Sequence, residues 1–263
     1  MPLHAAGYGD SRAVIDRVVS SYTTTARALR YARRERVTST GADSTLLVAL
    51  ANAANFPPLP GVEAEREAIT GRLAVPPVEL VGPDALRGRV LAGMTEHPRA
   101  HFACHGVTDP DSPSKSRLVL ADHDETPLTV TDVTRLHLDA DLAFLSACST
   151  ARTTPTLVDE SIHLASAFQL AGYRHVVAAL WPINDRFAVR FTRDFYTAIH
   201  TADVDSAALA VHHATRRLRD RVPGHARIWA AHVHLGPMSH RLEQISGIRW
   251  SSRWPVAVPA ARE

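Results

Sequence analysis

Two short apolar runs constrain this chain more than anything else in it. The first, Arg99 to Gly106, reads R-A-H-F-A-C-H-G, and the second, Asp141 to Thr150, reads D-L-A-F-L-S-A-C-S-T. Each stops abruptly at a reactive side chain, His105 in one and Cys148 in the other. An open parallel sheet carries its chemistry at the carboxyl ends of its strands. Two neighbouring strands that end in His105 and Cys148 therefore bring an imidazole and a thiol to one rim.

The rest of the chain supplies the sheet. Thr45 to Ala51 is a continuous apolar run, as in a strand covered on both faces. Glu63 to Leu73 has helical spacing, Val78 to Val81 reads as a small strand, and Pro83 to Met94 as a helix with its proline in the first turn. Ala100 to Cys104 and Asp141 to Ala147 are the strands of the two runs. Between them lie a strand over Leu118 to Ala121 and a short helix over Thr129 to Leu136. Glu160 to Ala171 predicts a helix that stops at Gly172. Val176 to Trp181 predicts a strand, Arg186 to Ile199 and Ser206 to Arg221 two amphipathic helices, and Ile228 to Leu235 a last strand. Ahead of Thr45, Asp16 to Tyr22 has room for a short strand. Thr23 to Arg36 reads as a helix with Arg27, Arg30, Arg33, Arg34 and Arg36 on a solvated face. This alternation predicts one α/β domain over residues 1–236, with a mainly parallel central sheet and helices on both faces. The Pro- and Arg-rich remainder, 237–263, is expected to be a mobile tail.

Composition narrows the partners. A net charge of +2 is too weak to argue for nucleic acid. No apolar run is long enough to span a membrane, and the N-terminus lacks the basic and apolar regions of a signal peptide. The 2 cysteines, Cys104 and Cys148, make no disulfide framework and too few ligands for a structural zinc, so a reducing, cytoplasmic setting is expected. Lys115 is the only lysine among the 29 basic residues, a bias that suggests a GC-rich bacterial gene.

A thiol becomes a good nucleophile only as thiolate, and a nearby imidazole supplies that by taking its proton. The sulfur then attacks a peptide carbonyl, and the oxygen that turns negative needs backbone N–H donors. Gly106 suits that task because its missing Cβ lets the N–H approach the substrate, and the N–H of Cys148 is a second candidate. His105, once protonated, can donate to the leaving amine. Cys104 lies within its strand and points away from His105, which makes it a core residue. His232 and His234 share a strand face, and His212 and His213 follow each other on a helix, but no acid or cysteine near them completes a metal site. Ser146 lacks the G-x-S-x-G surround of a serine nucleophile, and no phosphate- or dinucleotide-binding glycine pattern occurs. Neither metal nor cofactor is expected.

H-F-A-C-H-G (His101 to Gly106), L-S-A-C-S-T (Leu145 to Thr150), Ala171-Gly172 and L-W-P-I-N-D (Leu180 to Asp185) together resemble the CHAT family of caspase-like cysteine peptidases, related to separases and gingipains. P-P-L-P-G-V-E-A-E (Pro57 to Glu65), D-F-Y (Asp194 to Tyr196) and W-A-A-H-V-H-L-G (Trp229 to Gly236) agree with it. The resemblance implies a caspase–hemoglobinase fold, His105 and Cys148 as catalytic dyad, and an oxyanion hole at Gly106 and Cys148. It implies a bacterial endopeptidase that cleaves a specific protein in defence or regulated proteolysis, often beside a TPR-type or other sensor, here a separate polypeptide. Related peptidases hold a P1 Arg or Lys with an acidic residue. The candidates are Asp185 and Asp159, with Glu160 beside it, although both aspartates also suit a helix N-terminus. Family members carry more chain before the point matching Pro2 to Gly7. A fold lacking the first strand would leave a sheet edge open for a partner or a second copy. The rival reading, from another class, is a catalytically idle CHAT module that binds or regulates a partner.

Overall fold

The computed structural model describes residues 2–8, 12–34, 44–109, 111–146, 158–199 and 206–238. In chain order the elements are a hairpin of β1 (Gly7–Tyr8) and β2 (Arg12–Ala13), α1 (Ala26–Ala32), β3 (Thr45–Ala49), α2 (Gly61–Thr70), β4 (Val78–Val81), α3 (Arg87–Glu96) and β5 (Arg99–Ala103). Then come β6 (Gly106–Val107), β7 (Arg117–Leu118), β8 (Leu128–Thr129), α4 (Val130–Thr134), β9 (Ala140–Leu145), α5 (Val158–Ala171), β10 (Tyr173–Ala179), α6 (Asp185–Ala198), α7 (Ala207–Arg221), α8 (Ala226–Trp229) and β11 (His232–Leu235).

The central sheet has 6 strands in the order β11-β10-β9-β5-β3-β4. All neighbours are parallel except β10 and β11. The path from β3 runs outward to β4, then returns past β3 to β5 and continues to β9 and β10. Crossovers between parallel strands are right-handed, so reversing the direction of travel moves the connecting helix to the other face. The packing follows this rule. Residues of α3, α4 and α5 join Leu46, Val48, Phe102, Ala143 and Val176 in one core. Ile69 of α2 and the apolar faces of α6 and α7 join Leu47, Leu142, Phe144 and Val177 in the other. The alternation of strand residues between two cores explains why β3 reads as unbroken apolar sequence. Phe144 is fully buried between the rings of Phe195, 5.0 Å away, and His101, 4.6 Å away. Burial of one such ring contributes about 2–3 kcal/mol.

Four elements differ from their sequence pattern, two of them because a distant residue draws the backbone away. The helix over Pro83 to Met94 is a 3-10 turn (Gly82–Asp84) followed by α3, which restarts at Arg87 because the Asp122 carboxylate accepts the Arg87 N–H at 3.0 Å. The strand over Leu118 to Ala121 shrinks to β7, because the Ala121 N–H donates to Ala85 and draws the chain away. Ile228 to Leu235 is not one strand. Its first half turns into α8, and pairing with β10 begins at His232. Asp16 to Tyr22 holds no strand; only Tyr22 bridges Leu235, on the outer edge of β11. Among the described residues no helix is long and apolar enough to cross a membrane.

Candidate active site

The direction of travel through the sheet reverses between β3 and β5, and a crevice opens there at the carboxyl ends of the strands, the usual place for a ligand in an open α/β sheet. The open pocket encloses about 530 Å³, mouth included. Leu59, Gly61 and Val62 reach it after β3, His105 after β5, Ser146 after β9, and Pro182, Ile183 and Asp185 after β10.

His105 leaves β5 and is 1% exposed. Its Nε2 lies 2.7 Å from the carbonyl oxygen of Pro57. A carbonyl only accepts, so Nε2 carries the hydrogen and Nδ1 carries the lone pair. That Nδ1 is buried and has no hydrogen-bond partner among the described residues. The ring lies against Phe56 at 5.1 Å between centroids, and Phe56 in turn meets His123 edge-on at 5.3 Å. The imidazole is thus held in one tautomer and one orientation, with a basic nitrogen left over.

Gly106 opens β6 opposite Leu118. The Val119 N–H donates to the His105 carbonyl at 2.9 Å. In an antiparallel ladder, hydrogen-bonded pairs alternate with non-bonded ones, so the Gly106 N–H faces away from β7. Cys148 lies outside the described residues, and the chain is described up to Ser146, which continues the β9 ladder by donating its N–H to Phe102 at 2.9 Å. The Ser146 hydroxyl donates to Glu65 at 3.0 Å rather than to His105. Cys104 is buried in the core, and burial, with the charge of Glu65 adding to it, pushes its thiol up to about 12.

Asp185 is the first residue of α6, after an Asn184 cap whose side chain accepts the Arg186 N–H. Its Oδ2 accepts the N–H of Gly61, the first residue of α2, at 3.1 Å. Asp185 thus stands at a helix N-terminus and also lines the pocket. Asp159 falls in the first turn of α5, and its side chain, like that of Glu160, lies outside the described residues. His232 stacks on Phe191 at 3.6 Å, and His234 lies within hydrogen-bond distance of His175 and Ser21.

Sequence reasoning missed Pro57 and Phe56 as the partners of His105, and missed Glu65. Glu65 is 4% exposed and lines the pocket. The signal for it was a carboxylate on the apolar face of α2, in helical register with Val62, Ala68 and Ile69.

The CHAT domain model matches residues 1–237. No curated sequence matches the chain. Among solved structures, the Arg-specific cysteine proteinase gingipain R is similar with a TM-score of 0.51 and 11% identity, over 75% of this chain and 47% of that one. The separase–securin complex of Saccharomyces cerevisiae is similar with a TM-score of 0.50 and 15% identity, over 80% of this chain and 13% of that one. The chain thus spans less than half of each, and the likeness is one of fold.

Proposed function

Because the chain belongs to the CHAT-domain family, with a caspase-like α/β fold, we propose that it is a cysteine endopeptidase in which His105 and Cys148 form the dyad. One observation carries this reading: a buried imidazole at the pocket, its Nε2–H committed to the Pro57 carbonyl, whose remaining Nδ1 has no partner among the described residues. A lone pair so left at the pocket is what the general base for a thiol must offer.

In the reaction, His105 Nδ1 takes the proton from Cys148 Sγ, and the thiolate attacks the carbonyl carbon of the scissile bond. The N–H groups of Gly106 and Cys148 hold the oxygen that becomes negative. The intermediate collapses as the protonated imidazole gives its proton to the leaving amine. Water, losing its proton to His105, then hydrolyses the thioester and frees the sulfur. The P1 side chain is Arg or Lys, held by the Asp185 carboxylate at the pocket wall; Leu59, Val62, Ile183 and Val189 would line the aliphatic stem. The substrate is a protein, and cleavage serves regulated proteolysis or defence in a bacterium, under a sensor.

The test is alkylation by iodoacetamide, read by mass spectrometry of the Cys148 peptide. Fast labelling at neutral pH that collapses in His105→Ala supports the enzyme. Equal labelling of both proteins overturns it and leaves a binding module. Cys104, with its thiol pushed up by burial, stays unlabelled in the folded protein.

A further inference from the structure

Glu65 touches each of the elements that lead to the proposed catalytic and P1-binding residues. Its Oε1 lies 3.1 Å from His101 Nε2 on β5, and β5 runs into His105. The same oxygen accepts from Thr192 Oγ1 at 2.6 Å on α6, the helix that begins with Asp185. Its Oε2 accepts the Ser146 hydroxyl at 3.0 Å, just past β9 and two residues before Cys148. His101 is itself fixed on its other side, where Nδ1 meets the Tyr196 hydroxyl at 3.2 Å.

A buried carboxylate is costly unless donors surround it. Burial pushes the Glu65 carboxyl up, but the hydrogen bonds from His101, Thr192 and Ser146 outweigh it and hold the group below the usual carboxylate range. Packing alone would be served as well by an apolar side chain of similar volume. What an apolar residue lacks is direction: three donors from three elements converge on two oxygens, and so fix those elements relative to one another at the pocket wall.

Building on the Cys148–His105 reading, we propose that Glu65 is a positioning residue, which holds the end of β9 through Ser146 where Cys148 meets His105. Ser146 is then pinned twice, by its N–H to Phe102 and by its hydroxyl to Glu65. Displacing a reacting atom by about 1 Å costs on the order of a hundredfold in rate.

The experiment measures the rate of Cys148 alkylation by iodoacetamide from pH 5 to 9, with thermal unfolding recorded on each protein. Ser146→Ala removes one hydroxyl, stays folded, and reduces the His105-dependent rate about tenfold or more. Glu65→Ala reduces it at least as far, and the double variant is no slower than Glu65→Ala, because both act through one bond. Glu65→Gln retains more of the rate than Glu65→Ala, since its oxygen still accepts from His101 and Thr192 while its amide donates to Ser146. A role in packing alone would move the unfolding temperature and leave the pH–rate profile in place. Folded Ser146→Ala with an unchanged profile, or a double variant in which the two losses multiply, overturns the positioning role alone. Equal labelling of wild type and His105→Ala overturns the peptidase reading and this proposal with it.

Discussion

Asp185 Oδ2 lies 3.1 Å from the Gly61 nitrogen, and a Cβ built on Gly61 would stand 2.8 Å from the Asp185 Cβ. The contact joins the first residues of α2 and α6 across the mouth of the pocket. Asp185→Asn keeps an oxygen for the Gly61 N–H but loses the charge. The expected outcome is a nearly unchanged unfolding temperature and a fall of about thirtyfold or more in kcat/KM on Arg-P1 peptides, the low end for truncating a buried charge pair. Gly61→Ala pushes Asp185 aside and destabilises by about 1–3 kcal/mol. Unchanged kcat/KM in Asp185→Asn, or a preference for apolar or acidic P1, removes Asp185 from the P1 site.

Phe56 holds the His105 ring from one side and packs its edge contact with His123 on the other. Phe56→Ala leaves the Pro57 carbonyl in sequence but frees the ring to tilt. We expect a loss of about 1–3 kcal/mol in urea unfolding and slower alkylation of Cys148. Phe56→Leu, which fills most of the space, recovers stability more fully than rate. Equal recovery of both would mean that Phe56 fills space and does not orient the imidazole.

Much of this fold was legible because it depends on short-range pattern. The period-2 and unbroken apolar runs gave β3, β5 and β9 to within a residue or two, and glycine marked the end of α5. The placement of His105 at a pocket also follows from strand-end logic, since β5 ends one residue before Cys104. What stayed hidden is what distant residues contribute. The start of α3 is set by Asp122, 35 positions away. Glu65 draws its donors from positions 101, 146 and 192, and the helical register that puts it on the apolar face of α2 does not name those partners. The orientation of His105 comes from a backbone carbonyl, which no side-chain motif encodes.

Three histidines, His4 at the N-terminus, His212 on α7 and His232 on β11, give the fold a pH dependence. Burial lowers His4 to about 4 and His232 to about 3, while His212 falls to about 4 through burial and then its neighbours His213, Arg216 and Arg219. Unfolded, these histidines bind protons below about 6.5; folded, they stay neutral until their own lower values. The unfolded chain therefore binds more protons between pH 6.5 and 4, and stability falls as pH falls through that window, by up to about 1.4 kcal/mol per pH unit for each histidine. Urea unfolding at pH 7, 6 and 5 measures the slope. His4→Asn flattens it by about one histidine's share, and a slope equal to wild type would show that His4 titrates normally in the fold.

Gly172 fixes where β9 begins. It lies between α5 and β10 with φ of 120°, and a Cβ there would fall 1.9 Å from the Leu138 carbonyl oxygen. The approach is tight because the two segments hydrogen-bond to each other: the Leu138 N–H donates to Ala171 at 2.7 Å and the Ala140 N–H to Gly172 at 3.3 Å. An alanine must adopt a left-handed backbone and also push back the Leu138 main chain, so neither rotamer change nor a small shift relieves it. Because Leu138 leads into β9, the displacement runs along the strand that ends beside Ser146. Gly172→Ala is expected to cost more than about 4 kcal/mol, which at this chain length lowers the unfolding temperature by about 10 °C or prevents folding. Gly88→Ala is the control, since its Cβ meets nothing within 4 Å in the helix α3. It should stabilise by about 0.4–1 kcal/mol through the unfolded chain. If the two substitutions shift the unfolding temperature alike, the contact between Gly172 and Leu138 is not what seats β9.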